Sequence, residues 1–249
     1  MPDSVKGGRI EIKIPMNNAS AKLYTFEQYF LKNSSQAGRL HGWLEEAWLP
    51  AYSRLTGKRT ALVMDAMVAE HVPQVAVVAE WDSFAQWENC RASMRRDADM
   101  RAALGYWEDH HEPPYEHFTQ SLLEGTAYSP VLKEGGEKGR VFELRVYHAP
   151  GYRQLRALHE RFEGPEIPIF HRCGIEPVLY TSALFGQWMP NLVYFTPFDS
   201  LGAREAAWAK FQADEEWIRV RTESVEEHGQ INAFFKVALY RAAGYSPVK

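Results

Sequence analysis

The amino-acid sequence predicts an α+β protein: two tandem ferredoxin-like βαββαβ repeats that close one eight-stranded barrel with helices outside. Three observations carry this. The chain repeats itself once, each copy runs through strand-like and helix-like segments in the same order, and one copy alone leaves a sheet face bare. Displaced by 118 positions, Tyr29 falls on Tyr147, Gln36 on Gln154, Leu40-His41 on Leu158-His159, Pro50 on Pro168 and Arg54 on Arg172. At 117, Asp82-Ser83 meets Asp199-Ser200, Asp97 meets Asp214, and Tyr128-Ser129-Pro130 meets Tyr245-Ser246-Pro247. One single-residue adjustment keeps register throughout, which chance apolar matches do not do. Each copy spans about 108 residues, far above solenoid periods.

The elements follow in order. The first strand is Leu23–Phe30 in one copy and Val141–His148 in the other. Helical stretches follow at Gln36–Leu55 and Tyr152–Cys173, with Pro50 and Pro168 late enough to predict a kink or a break. Thr60–Ala69 with Gln74–Trp81, and Val178–Trp188 with Leu192–Phe198, read as hairpins joined through His71-Val72-Pro73 and Met189-Pro190-Asn191. Asp82-Ser83 and Asp199-Ser200 carry N-cap chemistry for a second helix, and Ser83 with Gln86 forms a capping-box pattern. Glu116–Gly125 and Ile231–Tyr240 supply the last strands. The expected divisions are an extension (1–22), a first repeat (23–130), a charged, glycine-rich linker (131–139) and a second repeat (140–249). Arg9–Ile14 alternates polar and apolar residues and reads as an additional edge strand.

Composition excludes several classes of function. Among 249 residues, 28 basic side chains face 32 acidic ones, a net charge of −4 that argues against a nucleic-acid binder. No apolar stretch approaches the roughly 18 residues of a membrane span, and the N-terminus shows no signal-peptide pattern. Two cysteines, Cys90 and Cys173, are too few for a disulfide scaffold and fit a reducing cytoplasm. There is no GxGxxG, P-loop, EF-hand or CxxC, so no cofactor is expected. His110-His111-Glu112 with His117 lacks the i+4 spacing of a metal site, and no metal is expected there.

Candidate site residues come from the alternation of the first strands. Phe142, Leu144 and Val146 make an apolar face suited to packing under helices, as do Tyr24, Phe26 and Phe30. That assigns Glu27, Tyr29, Glu143, Arg145 and Tyr147 to the space between the two sheets. Charges there must be paired or wetted. One reading is a polar pocket in which Arg145 grips a carboxylate or phosphate, Glu143 or Glu27 serves as base or anchor, and Tyr29, Tyr147 and Asn191 orient the ligand. The other is a structural Glu–Arg pair at the rim. His41 and His159 occupy one repeated helical position, as proton carriers or as surface histidines bonding a carbonyl.

The runs VFELRVYHA (141–149), EIPIFHRCGIEPV (166–178), MPNLVYFTPFDSLGAREAAWAKFQADEEWIRVRTES (189–224) and ALYRAAGYSP (238–247) closely resemble the NIPSNAP family. In the first copy WLPAYSRLTG (48–57), EWDSFAQWENC (80–90) and PPYEHFTQSLLEGTAYSP (113–130) are similar but eroded, with TFE (25–27) where the second copy has ELR. The resemblance implies a dimeric α/β-barrel fold, formed within one chain where one-copy relatives would need two. It supplies no catalytic set. Eukaryotic members are discussed mainly as mitochondrial and vesicle-associated interaction proteins, and this N-terminus shows no mitochondrial presequence.

Two functions are therefore expected to compete. The first is a barrel that binds a small polar or anionic organic ligand between its sheets, with cofactor-independent enzymes among its fold relatives. The second is a non-catalytic module that docks a partner protein. A haem role ranks third, since no histidine is placed as an axial ligand. Partners are expected to be a small molecule and further copies of the fused pseudo-dimer, with neither nucleic acid nor membrane.

Overall fold

The short connectors and the repeated cap residues dictate the element order seen in a computed structural model, which describes residues 21–136 and 139–249. The first repeat runs β1 (Leu23–Phe30), α1 (Gln36–Trp43), a π-helical turn (Leu44–Trp48), α2 (Leu49–Thr56), β2 (Ala61–Val68), β3 (Gln74–Trp81), α3 (Phe84–Arg96), α4 (Ala98–Glu108) and β4 (His117–Gly125). The second runs β5 (Val141–His148), α5 (Tyr152–Arg161), a π-helical turn (Phe162–Glu166), α6 (Ile167–Cys173), β6 (Leu179–Phe185), β7 (Asn191–Phe198), α7 (Leu201–Gln212), α8 (Glu215–His228) and β8 (Phe234–Ala242). The segment Arg9–Ile14 lies outside the described residues. No described helix is long and apolar enough to cross a membrane.

The strands close a barrel in the order β1-β3-β2-β8-β5-β7-β6-β4. Every pairing is antiparallel, and the two repeats meet where β2 pairs with β8 and β4 with β6. Each seam carries a register shift, between Ala66 and Val68 and between Leu122 and Leu123. Closure removes the free edges that an open four-stranded sheet would leave.

Local chemistry explains how the helices compare with the sequence expectation. The expected break falls just ahead of Pro50 and Pro168, at the π-helical turns, and each proline itself sits in the first turn of α2 or α6, where a missing N–H is harmless. The π-helical turns just before them absorb the disrupted bonding, and Gly164 in the second leaves helical geometry at ψ −106°. The second helix of each repeat, expected as one, is two. Asp97 and Asp214 hold extended backbone, and each carboxylate accepts from an amide three residues on, Met100 or Trp217. Ser83 and Ser200 cap α3 and α7 as their positions predict.

The sheet faces are the reverse of the sequence expectation. Tyr24, Phe26, Phe142 and Leu144 point into the barrel and form one core with Leu62 and Val78. Glu143, Arg145 and Tyr147 point outward, under the helices of repeat 2, and Tyr29 lies in the corresponding layer of repeat 1. The cause is polar satisfaction. The interior around Phe142 and Leu144 is an apolar core, whereas outside the barrel α7 brings Arg204 and Trp208 within hydrogen-bond distance of Glu143. Leu132 and Val248, from the segments that follow β4 and β8, seal one end of the barrel.

Candidate functional site

The outward face of β5 is the centre of a buried polar network in repeat 2. Glu143 has no solvent-exposed side-chain surface. It accepts from Arg145 Nε at 2.7 Å, from Arg204 Nε at 2.8 Å and Nη2 at 3.0 Å, and from Trp208 Nε1 at 2.7 Å. Four charge-assisted contacts hold one carboxylate rigidly. Arg145 in turn stacks over the Trp208 ring, 3.7 Å from its centroid, and donates from Nη1 to the Tyr147 hydroxyl at 3.2 Å. Tyr194 donates to the same hydroxyl at 2.9 Å. Glu143 thus serves to fix Arg145, and Nη2 of Arg145 has no partner among the described residues.

That guanidinium lines a cavity of about 580 Å³ between the sheet and the helices α5 and α8. The π-helical turn at 162–166 delivers Glu166 to the same space, and Arg161 and Arg221 complete its charged lining with Glu226. Arg161 Nε donates to Glu166 at 2.7 Å, and its guanidinium lies over Trp217 at 5.0 Å. Burial drives the Glu166 carboxyl above the usual carboxylate range, and Arg161 only partly opposes it. The indole N–H of Trp217 is buried without a partner among the described residues. Burial also raises the Tyr147 hydroxyl, keeping it a neutral donor.

The other sequence-predicted residues lie elsewhere. Glu27 and Tyr29 are the repeat-1 equivalents of Arg145 and Tyr147. Tyr29 donates to Glu27 at 2.7 Å, Gln120 donates to it as well, and burial raises the Glu27 carboxyl. Asn191 is on the opposite side of its sheet, inside the barrel, where Nδ2 donates to the carbonyls of Gln187 and Trp188. His41 and His159 bond neither carbonyls nor a ligand cavity: each lies between the tyrosine hydroxyl of the other repeat and a strand residue of its own. His41 is 2.6 Å from Tyr245 and 2.8 Å from Asp65, and His159 is 2.7 Å from Tyr128 and 2.8 Å from Ser182. Burial lowers the His159 imidazole to about 4. Of the histidine-rich segment, Glu112 accepts from Ser35 and His117 stacks on Phe30.

Sequence reading missed Arg161, Glu166 and Arg204. Their signal was helical spacing: Arg161 and Glu166 flank the anomalous Gly164-Pro165, and Arg204 and Trp208 are four residues apart on one helix face.

Comparison with known proteins places this geometry. Residues 142–247 match the model of the NIPSNAP family. A comparison with curated proteins finds no match. Among solved structures, an anthrone oxidase-like protein is 14% identical at a TM-score of 0.58, with 90% of this chain covering 92% of that one. A candidate monooxygenase from Lactobacillus acidophilus NCFM is 8% identical at 0.56, covering 89% and 94%. A NIPSNAP family protein of unknown function from Agrobacterium tumefaciens str. C58 is 20% identical at 0.40, with 47% of this chain covering 99% of it. At such identities the first two likenesses are of fold alone.

Proposed function

With residues 142–247 a NIPSNAP domain fused to a diverged copy of the same fold, we propose that this domain binds a small organic anion, a carboxylate above all. The site is the cleft between the outer face of β5 and the helices α5 and α8. The observation that supports it is the state of Arg145: 12% exposed, clamped at Nε by Glu143, stacked on Trp208, and with Nη2 unpartnered beside an open cavity. A guanidinium held this way loses little entropy on binding and presents its remaining donors to a planar anion. Arg161 supplies the second positive group. Glu166, with its raised carboxyl, and the Tyr147–Tyr194 hydroxyl pair equip the cleft to hold or pass a proton, which is the route from binding to cofactor-independent catalysis.

The partner-docking alternative expects an unremarkable interior, and the charged cleft of repeat 2 favours the ligand reading over it. We place the divisions at 23–130 and 140–249 and the protein in the cytoplasm, which two free buried thiols suit. Self-association of the fused pseudo-dimer belongs to the same proposal. Titration calorimetry with benzoate tests the central claim: the wild type binds saturably, and Arg145→Met, which keeps the bulk over Trp208, weakens binding at least tenfold. Equal affinity of the two proteins would refute it.

A further inference from the structure

The barrel interior is solid at one end and hollow at the other. Tyr24, Phe142 and Phe195 pack with Leu132 and Val248 at the sealed end. Toward the β2–β3 and β6–β7 hairpins a cavity of about 510 Å³ opens instead, a volume within the range of small-molecule sites. This space lies on the opposite face of the β5 sheet from the Arg145 cleft.

Its walls differ in chemistry. One carries a polar trio: Gln28 Nε2 donates to Gln74 Oε1 at 3.3 Å and to the Tyr240 hydroxyl at 3.2 Å, and Tyr240 donates to Gln74 Oε1 at 2.5 Å. Those bonds fix both amides and leave Gln74 Nε2 as a donor and Gln28 Oε1 as an acceptor without partners among the described residues. The pseudo-symmetric positions of Gln28, Gln74 and Tyr240 are Val146, Asn191 and Leu123, so the facing wall is apolar at two of the three positions, and Asn191 spends its Nδ2 on the carbonyls of Gln187 and Trp188. The charged members of the lining, Glu70 and Lys236, pair with each other at 3.2 Å, and both are more than a third exposed, at the mouth. Among the described residues no charged group lies deeper inside to compensate a buried charge.

The mouth is also strained. Trp188 holds φ +60°, the left-handed region an indole side chain seldom adopts. His148 and Asn191 keep it there by hydrogen bonds to its carbonyl at 2.7 and 3.0 Å, and Lys236 lies 4.6 Å from its ring centroid. Such strain persists only where surrounding contacts enforce it, and it clusters at ligand clamps.

We propose that the hollow half of the barrel is a second binding site. It takes a neutral, mainly apolar molecule whose single head group both donates and accepts a hydrogen bond, such as a primary amide or a phenol. The head meets Gln74 Nε2 and Gln28 Oε1, and the body lies against Val146, Leu123 and Leu144. The Arg145 cleft selects anions, and this site rejects them.

The test is a protein-observed NMR titration with benzamide, and with toluene as the headless control. The wild type binds benzamide saturably, and saturating benzoate does not displace it. Gln74→Leu weakens benzamide at least tenfold and changes toluene less than twofold, with Gln74→Met as the substitute should Leu disturb the fold. Ala238→Phe, which fills the cavity, abolishes both. The proposal is overturned if folded wild-type protein binds neither probe, if benzamide survives Ala238→Phe, or if Gln74 substitution leaves benzamide affinity intact. Failure of benzoate binding would strike the cleft alone.

Discussion

The two copies of this fold treat the same space beneath their helices in opposite ways. In repeat 2 the outer face of β5 carries Glu143 and Arg145, the elements above bring Arg161 and Glu166 to an open cleft, and Arg204 bonds Glu143. In repeat 1 the equivalent positions are Thr25, Glu27, Trp43, Trp48 and Trp87. Trp43 stacks on Trp107 at 4.5 Å, Trp107 reaches Tyr115, and Tyr115 meets Tyr29 at 5.6 Å, so aromatic rings occupy the space. Thr25 merely accepts from Trp81 Nε1 at 3.0 Å. Repeat 1 fills that space with aromatic rings around the Glu27 carboxylate, where repeat 2 holds several charged groups.

The largest expected effect tests whether the network is as concentrated as it looks. Glu143→Leu strips the shared partner from Arg145, Arg204 and Trp208 and should cost about 3–5 kcal/mol in urea denaturation. Thr25→Val, its counterpart, should cost about 1 kcal/mol, one neutral hydrogen bond. Similar losses at both sites would erase the asymmetry.

Next comes His159, the half-buried histidine of repeat 2. Its imidazole is lowered from 6.5 to about 4, so the folded state holds it neutral while the unfolded chain takes up a proton below about 6.5. The stability this contributes is present above 6.5 and lost as pH falls toward 4, at most about 1.4 kcal/mol per pH unit. Unfolding free energies measured across that window should fall less steeply for His159→Gln than for the wild type. An unchanged slope would assign the acid sensitivity elsewhere.

The cleft itself sets the third comparison. Arg161→Met should weaken benzoate several-fold, less than Arg145→Met, while Glu27→Gln on the repeat-1 side should leave calorimetric affinity within twofold. A strong effect of Glu27→Gln would mean that repeat 1 also binds. The smallest effects should be equal between copies. Ser83 and Ser200 each accept from the backbone amide three residues on, and Ser→Ala at either should cost about 1 kcal/mol in thermal or urea denaturation. Inequality there would show that the repeats have diverged in their scaffold as well as in their cleft.

Much of the fold was legible because its signals are local. Asp82-Ser83 and Asp199-Ser200 announce helix starts, the proline-bearing connectors announce hairpins, and a repeat read at two offsets fixes where each element recurs. The split helices were missed although Asp97 and Asp214 repeat, because an aspartate inside a helical pattern reads equally as a surface charge. The candidate site was half legible. Glu143, Arg145 and Tyr147 do lie together, but Arg161, Glu166 and Arg204 join them only through helices that fold back across the sheet.

By itself, then, the sequence determined the duplication, the order and caps of the elements, and the two alternating faces of each first strand. Which face turns inward was decided only by tertiary structure. Alternation separates Phe142 and Leu144 from Glu143 and Arg145, yet both faces of a sheet wrapped by helices and closed into a barrel are buried. The choice falls to whichever side can satisfy the buried carboxylate. Arg204 and Trp208 are supplied from about sixty residues further along the chain, a distance over which no local pattern carries information.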